Sequence, residues 1–362
     1  MRSPTQRSLT LDDIAALVRA GLDTTVIDGA ELAGGSFATV WRVTLRDGRQ
    51  AVVKVGPPPA ARLLGYEQGL LPAEAEYFRL VRKHAPTVPV PEVLATSPAG
   101  SEPQWVITTL LPGRPLTEGD SPEARRQLGA AVAKVHAITG TRFGYTGDRA
   151  AGTDWPTAFD AMVESLRADA DLWNVPLPPL DGVVSRHHDV LSAVTRPALL
   201  HFDLWDGNVL VAPEAPPTGP ADRTPPGSLA GTVPAGTVPV GTVLGGTALE
   251  GTVRAGTALG GTALAGIVDG ERYLYGDPLL DFVSPALFRR IEDEPDHPFL
   301  AGYARTEPWD TSARIRLALY RIHLYVLMIT EAPSRGIPPT GERHDFLTTL
   351  LTAELKHLAT LR

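Results

Sequence analysis

The stretch from Leu199 to Val211 constrains the chain more than any other. It reads Leu-Leu-His-Phe-Asp-Leu-Trp-Asp-Gly-Asn-Val-Leu-Val, with apolar residues at both ends and a polar cluster between them. Short apolar runs bounded by turn residues are typical of buried strands. The sequence therefore predicts a loop that carries His201, Asp203 and Asn208 and is held at both ends by strands.

The spacing of these polar residues is that of a phosphoryl-transfer loop, H-x-D-x-x-x-x-N. In such a loop the aspartate, here Asp203, orients the hydroxyl group that receives the phosphoryl group. The asparagine, here Asn208, holds a metal ion on the nucleotide phosphates. A plain polar turn between two core strands is the alternative interpretation, which this pattern alone does not exclude.

Composition excludes several other classes of protein. The 362 residues contain no cysteine, so disulfides, thiolate catalysis and cysteine metal sites are excluded. The net charge of -8 argues against a nucleic-acid-binding surface. The N-terminus lacks the apolar core of a signal peptide, and the most apolar helical stretch, about 317–329, is short and contains Arg321 and His323. We therefore expect a soluble, cytoplasmic protein, a monomer or weak dimer, without nucleic-acid or membrane partners.

A glycine-containing turn stands near the N-terminus. Residues 31–43 place apolar and β-branched residues around Gly34, Gly35 and Ser36, which predicts a strand, a turn and a second strand. Small residues in such a turn let the backbone come close to phosphate groups. A plain hairpin turn explains the pattern as well, so its meaning depends on the elements that follow.

The next element carries a lysine in an unusual place. Lys54 lies inside the apolar run 50–55, where an unpaired ammonium group would be costly to bury. It either contacts nucleotide phosphates and pairs with a helix glutamate, or it points to water from an edge strand. A helix predicted near 70–83 offers Glu74 and Glu76 as partners. Residues two apart diverge on a helix, so we expect Glu74 to pair with Lys54 and Glu76 to be solvated.

A predicted strand at 105–110 runs into a break at Leu111-Pro112-Gly113. In a protein with two lobes, such a break is the place for a hinge between them. Backbone groups from Thr108 to Leu110 would then pair with the edge of an adenine base. An ordinary exit from a strand is the alternative, because only the order of the elements supports the assignment.

The chain after the central loop changes character. Residues 213–263 contain 19 Gly or Pro in 51 positions, and Gly-Thr recurs every five residues from 231 to 261. We favour a flexible loop inserted into a hairpin over a small repeating β structure, because an odd period does not suit a half-buried sheet. The strand expected after it ends at Asp269, which is placed to be the second metal ligand.

Taken in order, these parts resemble the aminoglycoside phosphotransferase family, and the Asp-Leu-Trp-x-Gly-Asn sequence also looks like the related fructosamine kinases. The most specific motifs are H-x-D-x-x-x-x-N at 201–208 and I-V-D-x-E-x-x-x-x-G-D-P-x-x-D at 267–281. Two departures stand out. Phe202 replaces the glycine common between the histidine and the aspartate, and two of the three glycine positions of the phosphate loop are alanine.

The resemblance implies an α+β, bilobal, protein-kinase-like fold. It has an N-terminal nucleotide-binding lobe (1–110) with an antiparallel sheet and a helix. A mainly helical catalytic lobe (111–362) follows, interrupted by the insertion at 213–263. The co-substrate would be ATP or GTP with Mg²⁺, and the acceptor a small molecule. The roles implied are catalysis by Asp203, metal binding by Asn208 and Asp269, and nucleotide binding by Gly34, Gly35, Ser36, Lys54, Glu74, Thr108 and Leu110.

The function expected is transfer of the nucleotide γ-phosphoryl group to a hydroxyl group, with an aminoglycoside or other antibiotic as the first acceptor class. A fructosamine or another sugar is the alternative acceptor. A nucleotide-binding module without catalysis is a further alternative. A metal hydrolase that uses His201 and Asp203 fits less well, because the remaining histidines offer no convincing ligand set and Lys54 would be unexplained.

Overall fold

The computed structural model describes residues 2–212, 263–306 and 308–361. Most of the predicted insertion therefore lies outside the described residues. The α-helices are α1 (Leu11–Leu22), α2 (Leu70–His84), α3 (Pro122–His136), α4 (Trp155–Trp173), α5 (His188–Leu191), α6 (Pro298–Tyr303), α7 (Thr311–Thr330) and α8 (Glu342–Leu358). The strands are β1 (Val26–Glu31), β2 (Thr39–Leu45), β3 (Gln50–Val55), β4 (Val93–Thr96), β5 (Trp105–Thr109), β6 (Arg114–Pro115), β7 (Phe143–Tyr145), β8 (Ala151–Gly152), β9 (Ala198–Leu200), β10 (Val209–Val211), β11 (Leu264–Ile267) and β12 (Leu274–Gly276).

An antiparallel five-stranded sheet, in the order β1-β2-β3-β5-β4, forms the N-terminal part. Strand β2 alternates buried and less buried side chains, as expected of a sheet with one core face. Helix α1 covers part of that face with Ile14 and Val18, which pack with Trp41 and Val53. Its N-cap is Thr10, whose side chain accepts a hydrogen bond from the backbone N–H of Asp13.

Helix α2 packs through Leu71 and Ala75 against Val106 of β5, in a separate cluster. The helix spans Leu70–His84, close to the range 70–83 predicted from the sequence. Glu74 is 1% exposed, so it lies on the packed side of α2. Helix α2 therefore presents a carboxylate to the protein interior.

The C-terminal part is mainly helical and contains the largest core cluster, to which α3, α4 and α7 contribute. Trp155 at the start of α4 is fully buried, and its indole N–H donates to the Tyr320 hydroxyl of α7 at 2.7 Å. Gly129 of α3 and Gly302 of α6 allow a close approach, because a Cβ at Gly302 would lie 1.7 Å from the backbone oxygen of Arg126. Together with the N-terminal sheet this gives the predicted α+β class.

Two small sheets lie beside these helices, in the orders β11-β10-β6 and β8-β7-β12-β9. In the first, Val209 pairs with Ile267, and the N–H of Ala212 donates to the oxygen of Ala263 at 2.9 Å. The two ends of the segment 213–262 are therefore adjacent, and the loop at 201–208 stays close to Asp269 in space. No helix of the described ranges is long and apolar enough to cross a membrane.

Candidate active site

The loop between β9 and β10 is anchored by a buried carboxylate. Asp281 accepts hydrogen bonds from two successive backbone N–H groups, that of His201 at 2.9 Å and that of Phe202 at 2.6 Å. The Nε2 atom of His136 lies 3.0 Å from the same carboxylate, and all four residues are buried. His136 of α3 is therefore part of this anchor.

Phe202 has a left-handed backbone, with φ of +63°. This explains why glycine is common at this position in the family that the sequence resembles, since such a conformation costs a non-glycine residue about 1–3 kcal/mol. The phenyl ring is buried and stacks on His323, with ring centroids 5.4 Å apart. Burial of the ring and the hydrogen bond that the Phe202 N–H donates to Asp281 offset the strain.

His201 organises the loop. Its Nδ1 accepts a hydrogen bond from the Asp203 N–H at 3.1 Å, and its Nε2 donates to the oxygen of Val268 at 2.9 Å. This pattern assigns the neutral imidazole with its proton on Nε2. Burial lowers the pKa of His201, which keeps that neutral form.

Asp203 is 6% exposed. The Nε atom of Arg272 lies 3.9 Å from Asp203 Oδ2. Burial raises the pKa of the Asp203 carboxyl to about 7, and the Arg272 charge only partly opposes this. A carboxylate with a pKa in this range can accept a proton near neutral pH.

Asn208 lies at the other end of the same loop. Its Nδ2 donates to the backbone oxygen of Asp203 at 2.9 Å, which leaves its Oδ1 as an acceptor. The backbone oxygen of Asn208 accepts a bond from the Val268 N–H at 3.0 Å. Asn208 is therefore next to the turn that carries Asp269.

Lys54 pairs with two carboxylates. Its Nζ lies 2.6 Å from Glu74 Oε1 and forms a second ion pair with Asp269 Oδ1. Burial alone would lower the pKa of Lys54, but the charges of Asp269 and Glu74 raise it well above its ordinary value. Burial raises the pKa of Glu74 to about 8, and the Lys54 charge opposes this. The pairing of Lys54 with Glu74 rather than Glu76 agrees with the sequence prediction, while the role in nucleotide binding stays a prediction.

Three carboxylates meet at this point. Oxygen atoms of Glu74, Asp269 and Glu271 lie within 4.8 Å of one another. Asp269 itself has a left-handed backbone, with φ of +59°. One oxygen of Glu74 and one of Glu271 are buried without a hydrogen-bond partner among the described residues. An all-oxygen donor set of this kind fits Mg²⁺, and Asn208 Oδ1 would extend it.

The glycine-containing turn lies between β1 and β2, as the sequence predicts. Gly34 has φ of +118° and open space where a side chain would stand. Residues near the N-terminus hold the turn: the oxygen of Gly35 accepts a bond from Gln6 Nε2 at 3.0 Å, and that of Ser36 accepts one from Thr5 Oγ1 at 2.7 Å. Contact of this turn with phosphate groups stays a prediction.

The predicted hinge residues lie at the end of β5. Thr108 is 5% exposed and stands opposite Val52 of β3 and Val93 of β4, inside the sheet. Leu110 follows the strand, and its N–H reaches the oxygen of Gln50 at only 3.5 Å. Contact with an adenine base stays a prediction for both residues.

Sequence reasoning missed a buried group beside Asp203. Arg272 is 5% exposed and donates to Glu331 Oε2 at 2.9 Å, and the Tyr66 hydroxyl donates to the same oxygen at 2.9 Å. Arg335 also lies 3.7 Å from Glu331. Arg272 directly follows Glu271 within the motif at 267–281, so the sequence did contain a signal for it. Tyr66 and Glu331 are 265 residues apart and carry no local signal.

Comparison with known proteins gives three kinds of match. The family model of the phosphotransferase enzyme family matches residues 28–219. The probable ketoamine kinase YniA of Escherichia coli (strain K12) is 27% identical over 201 residues, which cover 51% of this chain and 64% of that protein. A probable ketoamine kinase of Klebsiella aerogenes is 28% identical over the same shares. The chain thus matches less than two thirds of the length of these relatives.

Solved structures resemble most of the chain. A putative fructosamine-3-kinase from Thermobifida fusca YX-ER1 is 20% identical, with a TM-score of 0.58 over 96% of this chain and 100% of that one. Aminoglycoside phosphotransferase APH(4)-Ia is 15% identical, with a TM-score of 0.54 over 95% and 96%. A mutant of APH(4)-Ia, solved with ADP and hygromycin B, is 14% identical, with a TM-score of 0.51 over 92% of this chain and 94% of that one. At these identities the likeness shows the fold, and the predicted bilobal, protein-kinase-like fold is confirmed.

Proposed function

Because the chain belongs to the phosphotransferase enzyme family, we propose that it transfers the γ-phosphoryl group of ATP to a hydroxyl group of a small molecule. The observation that carries the proposal is the buried Asp203 carboxyl, whose pKa of about 7 suits a group that receives a proton from an alcohol near neutral pH. Asp203 lies just after β9, the strand that pairs with β12. Lys54 and Asp269 form an ion pair at the turn after β11.

In the proposed reaction, Asp203 accepts a hydrogen bond from the acceptor hydroxyl and aims its oxygen at the γ-phosphorus. The new O–P bond forms, the bond from the γ-phosphorus to the bridging oxygen breaks, and ADP leaves. The hydroxyl proton moves to the Asp203 carboxylate. Positioning accounts for most of the rate gain in such transfers. The anchor from Asp281 to the N–H groups of His201 and Phe202 fixes the loop that holds Asp203 in place.

The nucleotide would be held by residues from both the N-terminal and the C-terminal parts of the chain. Lys54 orients the phosphates, and its pairing with Glu74 keeps its side chain extended toward them. Asn208 Oδ1 and the Asp269 carboxylate are the groups proposed to hold Mg²⁺, with Glu271 beside them. The ion, when bound, neutralises charge on the phosphate oxygens.

Ketoamines, the glycated amines, are the acceptor class that we propose first, and aminoglycosides are second. This reverses the order expected from the sequence alone. Curated relatives at 27% and 28% identity are named as ketoamine kinases, whereas the named aminoglycoside phosphotransferase is similar at 15% identity and supports only the fold.

An ADP-release assay with Mg²⁺ and ATP tests the proposal. The acceptors would be a panel of glycated amines, aminoglycosides and other hydroxylated antibiotics, with mass spectrometry to detect the phosphorylated product. We expect acceptor-dependent ADP release and a product heavier by one phosphoryl group. Tight ATP binding without turnover on any acceptor would instead support a nucleotide-binding module. The same assay with GTP in place of ATP decides which nucleotide is the phosphoryl donor.

A further inference from the structure

Arg149 is a buried cation in the loop after β7. It is 8% exposed, and within the described residues its side chain donates hydrogen bonds to uncharged groups. Its Nε donates to the oxygen of Thr146 at 3.1 Å, its Nη2 to Thr146 Oγ1 at 3.2 Å, and its Nη1 to the oxygen of Tyr66 at 3.4 Å. The guanidinium group also lies over the Tyr145 ring, 4.9 Å from the centroid. These contacts place the cation firmly without balancing its charge.

The other buried arginines of the described residues all have a carboxylate within 4.0 Å, and Arg149 has none. Arg272 pairs with Glu331 at 2.9 Å. The two further pairs are Arg321 with Glu292 at 2.6 Å, and Arg335 with Glu67 at 2.5 Å. Because buried charges are normally paired, the missing counter-charge points to a ligand. The carboxylate that acts on Arg149 from further away is the exposed Glu76 of α2.

The topology brings Arg149 to the edge where Asp203 stands. Strand β12 lies between β7 and β9, because Leu274 pairs with Tyr145 on one side and with Leu200 on the other. Both pairings are antiparallel, so β7 and β9 run in the same direction and end at the same edge. The loop that carries Arg149 and the loop that carries Asp203 therefore leave the sheet side by side.

Aromatic rings connect the two positions. The Tyr145 ring, which the Arg149 guanidinium group lies over, stacks with the Tyr66 ring at a centroid distance of 6.4 Å. Arg272, the cation beside Asp203, lies 5.6 Å from the Tyr66 centroid. The charge of Asp203 also contributes to the raised pKa of Tyr145. The rings of Tyr145 and Tyr66, followed by the Arg272 side chain, thus connect Arg149 to the proposed base.

We propose that Arg149 binds a carboxylate group of the acceptor while Asp203 holds its hydroxyl group, so that the acceptor is a glycated amino acid. The inference rests on the proposed function and specifies its substrate class. A guanidinium group can bind a carboxylate by two parallel hydrogen bonds. One uncompensated positive charge matches one carboxylate. An aminoglycoside polycation offers no group for this site.

The test compares N-(1-deoxyfructosyl)glycine with its neutral carboxamide, N-(1-deoxyfructosyl)glycinamide. Binding is measured by calorimetry on the full chain with Mg²⁺ and a non-hydrolysable ATP analogue, and turnover by ADP release. We expect the wild-type protein to bind the carboxylate compound at least about tenfold more tightly than the amide, as for a charge-assisted hydrogen bond. Arg149→Gln should abolish this preference and leave the affinity for the amide within about twofold. Arg142→Gln, a change at an exposed arginine on the same segment, should keep it.

The outcomes separate the inference from the proposed function. Equal affinity of the wild-type protein for the two compounds, a preference that survives in Arg149→Gln, or no binding of either compound overturns the inference. Tighter binding of fructose 6-phosphate than of the glycine adduct overturns it as well. ADP release with the amide or an aminoglycoside would still uphold the phosphotransferase function in those cases. The expected preference in binding without any ADP release would support the carboxylate site and contradict the function.

Discussion

Lys54 and Asp269, 215 residues apart, form an ion pair that joins the N-terminal sheet to the turn after β11. The same ammonium group pairs with Glu74 of α2. Side chains from three separate elements therefore meet at the Lys54 ammonium group. In the function that we propose, the nucleotide and its metal ion would bind at this point.

Loss of Lys54 should affect both activity and stability. Lys54→Met leaves Glu74, which is 1% exposed, without its counter-charge. Removing one partner of a buried pair costs about 3–5 kcal/mol. We expect ADP release to fall by at least about 100-fold and the urea unfolding midpoint at pH 8 to fall clearly. The double variant Lys54→Met/Glu74→Gln should recover most of the stability and none of the activity, whereas equal destabilisation of both variants would contradict the pairing.

Position 202 offers a test of backbone strain. Both Phe202→Ala and Phe202→Gly remove the ring that stacks on His323, so both should destabilise the protein by about 3–5 kcal/mol. Glycine accepts a φ of +63° without strain, whereas alanine does not. We therefore expect the glycine variant to be about 1 kcal/mol more stable than the alanine variant in chemical denaturation. If residue 202 had an ordinary backbone conformation, the alanine variant would be the more stable one, and that result would contradict the strain.

The raised pKa of Asp203 makes a prediction about stability. With a folded-state pKa of about 7, the folded protein keeps a proton that the unfolded chain releases near pH 4. Stability from this group therefore falls as the pH rises from about 4 to 7. Asp203→Asn removes that titration. Its stability relative to the wild-type protein should rise by about 2–4 kcal/mol between pH 4 and pH 8. A difference that does not change with pH would contradict the raised pKa.

The segment 213–262 should be dispensable for the fold. The N–H of Ala212 donates to the oxygen of Ala263, so a two-residue Asn-Gly turn could join them as a hairpin. We expect the shortened chain to unfold within a few degrees of the full chain and to keep its ADP release. As a control, an insertion of equal length is placed in the exposed loop near Gly100. If this control folds and the shortened chain does not, the segment has a structural role.

Motifs whose residue types and spacing indicate a chemical role could be predicted from the sequence. Contacts between segments that are distant in sequence could not. The loop at 201–208, Lys54 with Glu74, and the turn at Asp269 were expected because each needs a residue type at a fixed spacing. The turn at Gly34 is held by Thr5 and Gln6, for which nothing in the local sequence gave a signal.

Arg149 was equally hidden in the sequence. Its lack of a counter-charge among the described residues is visible only once the partners of the other buried arginines are known. The left-handed conformation of Phe202 also escaped prediction, because a bulky residue there gives no signal of positive φ. The departure from glycine at this position was seen in the sequence, but its physical compensation by the His323 ring needed the fold.

The pH dependence of turnover follows from the same carboxyl group. Asp203 must be ionised to accept the hydroxyl proton, and burial raises its pKa to about 7. The value of kcat/KM should therefore rise with pH, with unit slope below about pH 7, and level off above it. A rate that is flat from pH 5 to pH 8 on a saturating nucleotide would contradict the role of Asp203 as the base.

The most direct measurement is acceptor-dependent ADP release by Asp203→Asn at pH 8, beside Asp206→Asn in the same loop. Asp206 is bound by Arg125 at 2.7–2.8 Å and has no proposed part in the chemistry. The account predicts that Asp203→Asn keeps its affinity for ATP and loses at least about 100-fold in kcat, and that Asp206→Asn keeps kcat within a few-fold. Full activity of Asp203→Asn, with the phosphorylated product confirmed by mass, would contradict the account.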